Sequence, residues 1–193
     1  MRLAKIDAIA LLVIALVSTV ACGSSAEQES TPAPVFITYA NSSEGFSISV
    51  PDSWYTTSDS WDITHMDNET IRVKQTSFTS PSLCKDQIIT FHVTSSYENY
   101  TSVQAYYSEV QEPLWVGLDN VIIVREDLTI DGIPAIKVIL TFVSDGDTVH
   151  LMLCFLINQQ TLFDIVAEVR NPSCWDTYED TFNTMLNNFH VLD

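Results

Sequence analysis

From residue 35 onward, apolar and polar positions alternate in short runs, the two-residue period of half-buried β-strands. In Phe46-Ser-Ile-Ser-Val50 the apolar side chains share one face, and Pro51 stops the run. The pattern predicts strands over 35–40, 45–50, 71–78, 88–97, 120–130, 133–144, 148–158 and 162–170. Asp131-Gly132 and Asp145-Gly146 predict tight hairpins, because glycine accepts the positive φ that such turns need. Gln159-Gln160 is the expected third turn. The dense apolar runs VIIV, VILTFV and LMLCFLI predict strands covered on both faces. Between Ser53 and Thr70 the chain is polar, which predicts a long loop packed down by Trp54 and Trp61.

The period changes to 3.6 twice. Val103, Tyr106, Tyr107, Val110 and Leu114 recur at three- and four-residue spacing, with Thr101 and Gln104 as the expected capping box and Pro113 as the expected stop. Trp175, Tyr178, Phe182, Met185, Leu186 and Phe189 mark the apolar face of a closing helix, with Asp176 and Glu179 as its expected cap pair. Strands in series with helices laid on them make the class α+β, an antiparallel sheet under packed helices.

The first 21 residues read as a signal segment. Arg2 and Lys5 precede a ten-residue apolar core at 8–17, too short for a membrane-spanning helix. Val20-Ala21-Cys22 then fits a lipoprotein box, with Cys22 as the expected lipid attachment site. More than one acyl chain on that terminus makes a stable anchor, at about 0.8 kcal/mol per buried methylene. Secretion with cleavage after Ala21 is the alternative. Residues 22–34, small and proline-bearing, are the expected tether, and 35–193 the folded domain. The expected location is the outer face of a prokaryotic cell membrane, anchored and not spanning.

Charge narrows the partners. Eight basic and 25 acidic residues give −17, and no basic stripe exists, which argues against nucleic acid. With Cys22 lipidated, Cys84, Cys154 and Cys174 remain. One disulfide and one buried thiol is the simplest account of three cysteines in an oxidising compartment. Cys154, inside LMLCFLI, is the expected core thiol, and Cys84 and Cys174 are the candidate pair.

No catalytic constellation is legible. The five glycines are scattered, and no G-x-S-x-G, S-x-x-K or H-E-x-x-H run occurs. His92 and His150 fall in strands that could be neighbours, yet a packed imidazole is the expected role. Asp59, Asp62, Asp67 and Glu69 read as a solvated acidic loop, and no metal-ligand spacing is present. Trp54, Trp61, Tyr106, Tyr107 and Trp115 could line a ligand cavity or simply pack.

The run from Tyr39 through Gly45-Phe46 to Pro51-Asp-Ser-Trp54 resembles the opening of the PsbP-like family. The helix near Thr101, the two Asp-Gly hairpins and the closing helix to Phe189 are similar to the remainder of that domain. The resemblance implies an α/β/α sandwich around a central antiparallel sheet. It also implies an accessory or assembly subunit of a membrane complex, not an enzyme, since the family's best-known members support the oxygen-evolving side of photosystem II. Calcium is implied by the resemblance alone, and no ion-binding residue carries over. A small-ligand carrier is the second functional expectation.

Overall fold

The computed structural model describes residues 34–64, 70–116, 121–144 and 146–192. The signal segment, Cys22 and nearly all of the tether lie outside the described residues, as do His65, Asp67, Glu69 and Asp145.

The chain runs β1 (Phe36–Asn41), β2 (Phe46–Pro51), β3 (Tyr55–Thr64), β4 (Thr70–Thr79) and β5 (Thr90–Tyr97) before its first helical segment. That segment comprises α1 (Val103–Tyr106), a π-helical turn (Tyr107–Gln111) and α2 (Glu112–Trp115). Strands β6 (Ile122–Ile130), β7 (Ile133–Ser144), β8 (Asp147–Asn158) and β9 (Thr161–Val169) follow, then α3 (Pro172–Asn187) and the short β10 (His190–Val191). Seven strands form one antiparallel sheet in the order β3-β4-β5-β9-β8-β7-β6. The other three form a small sheet, β1-β2-β10.

Alternation along the central strands explains the layers. Met152, Cys154 and Leu156 of β8 face the α3 side, where Phe46, Phe91, Phe163, Phe182 and Phe189 make the larger core. Leu151, Leu153 and Phe155 point the other way, onto Tyr106, Tyr107 and Val103. Helical segments thus cover both faces of an antiparallel sheet, the α/β/α arrangement. Phe46 stacks on Phe189 at 5.4 Å, so the small sheet is part of the larger core.

Several boundaries differ from the sequence expectation. The stretch after Ser53 is no loop: β3 pairs with β4 over ten residues. Its Ser, Thr and Asp side chains hid it, because an edge strand with solvent on its outer side needs no apolar alternation. The first helix is capped by Ser102, whose side chain accepts from the Ala105 amide at 3.1 Å, and not by Thr101. Pro113 opens α2 instead of ending the helix, since a first-turn residue needs no N–H. In α3 the cap is Asn171, followed by Pro172, so the helix begins before Asp176. VIIV is not covered on both faces, because β6 is the second sheet edge and Ile122 to Asp127 are exposed.

The turn between β8 and β9 carries a cost. Gln159 (φ 47°) and Gln160 (φ 67°) both occupy the left-handed region, where a residue with a Cβ is strained. Replacing Gln160 with glycine is therefore expected to stabilise the fold by up to ~1 kcal/mol. The urea midpoint should rise with an unchanged slope, and a fall in midpoint would contradict the strain argument.

Candidate functional site

The β1–β2 connection builds the most developed polar site among the described residues. Asn41 closes the turn with its side chain. Its Oδ1 accepts from the Ser43 and Glu44 amides, both at 3.2 Å, and from Ser43 Oγ at 2.7 Å. The Gly45 amide donates back to the Asn41 carbonyl at 2.9 Å, with φ +76° at the glycine. A residue with a Cβ would strain that position. The turn folds Glu44 inward, leaving it 7% exposed.

Glu44 meets a prepared set of donors. Its Oε1 accepts from Asn41 Nδ2 and from the fully buried Thr76 Oγ1, each at 2.9 Å. Ser58 Oγ lies 2.9 Å from Thr76 Oγ1 and completes the chain across β3 and β4. Glu44 Oε2 is buried and accepts from no donor among the described residues. Burial raises the Glu44 pKa, opposed by the bonds from Thr76 and Asn41 and by the Lys74 charge. Lys74, two residues before Thr76 on the same face of β4, donates from Nζ to the Ser43 carbonyl and holds the turn against the sheet.

A groove of about 330 Å³ opens beside this arrangement. The turn and Leu192 form one wall, and Arg72 and Lys74 of β4 with Ser95 and Tyr97 of β5 form the floor and the other wall. Arg72 donates to Ser60 Oγ at 2.8 Å and lies 3.7 Å from Asp62 at the solvent side. Arg72, Arg125, Lys137 and Arg170 each have a carboxylate within 4.0 Å. Lys74 has no such partner among the described residues, and it lines the groove.

The opposite face of the sheet carries a second polar group. Ser77 Oγ lies 2.8 Å from His92 Nδ1, and Gln75 Nε2 donates to the same nitrogen at 3.2 Å. With Gln75 a donor, Nδ1 is an acceptor, and burial lowers the His92 pKa. No carboxylate pairs with His92 among the described residues, which leaves this pair without the orienting group of a hydrolytic triad. Farther along, Asp164 Oδ1 is buried without a partner among the described residues, and burial raises its pKa to about 7.

The residues singled out in the sequence separate. His92 and His150 are not neighbours: β9 lies between their strands, and they face opposite sides, with His150 stacked on Trp175 at 5.4 Å. Trp54 packs on Tyr178 and Phe182 on the α3 side, whereas Tyr106, Tyr107 and Trp115 pack on the other, so these aromatics line no common cavity. Asp59 and Asp62 sit on β3, and among the described residues no three His, Cys, Asp or Glu side chains gather as a metal centre would require. Cys84 and Cys174 are joined in a disulfide, while Cys154 is a buried thiol. Glu44 was missed, because a glutamate beside a turn glycine ordinarily points into water.

A different kind of surface lies at the far sheet edge. On β6, Ile122 is 64% and Val124 56% exposed, and Val143 of β7 on the same face is 66% exposed. Among the described residues, the outer backbone of β6 has no strand beside it.

No protein-family model matches the sequence, and no curated protein matches it. Solved structures do. Cyanobacterial PsbP (CyanoP) from Synechocystis sp. PCC 6803 superposes with a TM-score of 0.53 at 14% identity, over 86% of this chain and 98% of that one. The Ran-binding protein Mog1p of Saccharomyces cerevisiae superposes with a TM-score of 0.50 at 11% identity, over 83% and 97% respectively. At these identities the likeness establishes the fold, which is that of PsbP and Mog1p.

Proposed function

We propose that the chain is a non-catalytic accessory lipoprotein, tethered through Cys22 to the outer face of a membrane, which docks on a membrane-bound protein through strand β6. The open apolar edge carries this reading. Monomeric proteins usually blunt such edges, since unpaired amides and carbonyls recruit another strand. Here Ile122, Ile123 and Val124 stand at that edge with little to cover them. Glu126 and Asp127 continue the strand, and the whole chain is strongly acidic, so the occupant that fits is an extended segment of a partner protein with apolar and basic residues. The fold shared with PsbP supports an accessory role by analogy, and the lipoprotein box supplies the tether.

The test uses the full chain in its native host. A photo-crosslinker at Ile123 is expected to capture one membrane complex reproducibly, and one at Thr177 on the exposed side of α3 is not. Ile122→Glu with Val124→Glu should abolish the capture while leaving the circular dichroism unchanged. Cys22→Ala should release the protein from the membrane fraction. Equal capture from both positions, or unchanged retention of Cys22→Ala, would overturn the corresponding half of the reading.

A further inference from the structure

We propose that the groove beside Glu44 binds a small zwitterion, its ammonium group on the Glu44 carboxylate and its carboxylate on Lys74 and Arg72. The proposal is independent of what docks on β6, since the groove lies on β4 and β5, toward the other sheet edge.

Three observations converge. The first is the orphan acceptor. A buried carboxylate oxygen without a donor has lost its hydration uncompensated, and a charged donor supplied by a ligand removes that cost. Oε2 is buried, and turning the rigid carboxylate about its last side-chain torsion to meet the ammonium also takes Oε1 off its Asn41 or Thr76 donor, which the charged ligand donor must offset. That torsion is soft in glutamate, with no staggered barrier to cross. Oε1 has two donors within the protein, so Oε2 is the oxygen that lacks one.

The second is the cation pair on the same groove. Six of the basic residues fall within the described part of the chain, and two of them, Arg72 and Lys74, line this one groove. Lys74 spends one of its three donors on the Ser43 carbonyl and keeps the others. Ser95 and Tyr97 add hydroxyls that suit the polar linkage between the two ends of a ligand.

The third is the field around the site. A chain at −17 repels a small anion and attracts an unselected range of cations. A zwitterion carries no net charge, so it approaches without that penalty, and it satisfies both signs of local charge once inside. The volume of about 330 Å³ stands at the lower end of ligand pockets, which suits a free amino acid or a dipeptide.

The decisive experiment is calorimetric titration of the full chain in detergent with the free amino acids and with alanyl-alanine. At least one member is expected to bind with a Kd of roughly 1 mM or tighter. For alanyl-alanine or its closest binding analogue, acetylating the amine or amidating the carboxylate should each weaken binding at least about tenfold. Lys74→Gln should do the same. Because Lys74 also holds the turn, Arg72→Gln on the exposed rim provides a second variant, with an expected loss of about threefold or more. No binding by any member would overturn the proposal. So would an acetylated ligand that binds as well as the free one, since the groove would then be an anion site only.

Discussion

Replacing Cys84 and Cys174 together with serine is expected to lower the unfolding free energy by about 3–5 kcal/mol. The bond closes a loop of 90 residues, and the chain-entropy model assigns a loop of that length about 4–5 kcal/mol. It also joins parts that few other contacts hold. Cys174 is fully buried near the start of α3, whereas Cys84 lies in a connection that turns through Lys85 and Asp86 at positive φ. That connection is otherwise attached by a bond of 3.2 Å between Ser80 Oγ and Tyr178 Oη, and by Gln87 Oε1 accepting from the Arg170 amide at 3.1 Å. Against a usual total of about 5–15 kcal/mol, the loss is large. Urea titration of the double variant measures the effect. A loss under about 1 kcal/mol would show that the bond adds little to what the core already fixes.

The second large effect is a pH dependence centred on Asp164. Its carboxyl sits among Thr94, Phe155 and Tyr106, and burial raises its pKa to about 7 from an ordinary 3.8. A raised carboxyl pKa means the folded state holds a proton that the unfolded chain has already released. Between about pH 4 and pH 7 the folded state is therefore the better proton binder, and stability falls as pH rises through that window. Below it both states are protonated, and above it both are ionised. At about 1.4 kcal/mol for each decade of acid constant, the full swing is of the order of 4 kcal/mol. Asp164→Asn, which stays neutral throughout, should thus gain on the wild type between pH 5 and pH 8. Using the difference cancels the general repulsion among the other acidic groups. A difference that does not change with pH would assign the buried proton elsewhere.

The central strands were legible from sequence because their faces differ. In β8 every second residue enters a different core, so its apolar density and length announced a buried strand. The α/β/α arrangement came from the resemblance of the opening segment, while the spacing of the two helices gave only helices packed on an antiparallel sheet. Strand β3 was not legible. A strand at an edge, with Thr57, Ser58, Asp59 and Ser60 toward solvent, has the composition of a loop, and only its pairing with β4 distinguishes it. Strand β6 erred in the opposite direction, since VIIV reads as core and the fold places it at the rim. The site at Glu44 depends on Thr76, more than thirty residues away, presenting a hydroxyl at the right height. Local sequence holds no trace of that meeting. Helix starts failed for a smaller reason: Ser102 and Thr101 are both competent caps, and backbone geometry chose between them.

The small sheet has a consequence for how the chain reaches this fold. Its middle strand, β2, receives β1 at once through a local hairpin, but its other neighbour, β10, comes from the last residues, with His190 opposite Ser47. Closing that pair requires nearly the whole length of the domain, and loop closure over such a span is slow compared with hairpin formation. A chain emerging amino end first would hold Phe46 without Phe189 until every strand of the large sheet had been made. Assembly of the small sheet is then a last stitch made by β10, and a chain lacking His190 and Val191 would keep its first hairpin but leave the other side of β2 unpaired.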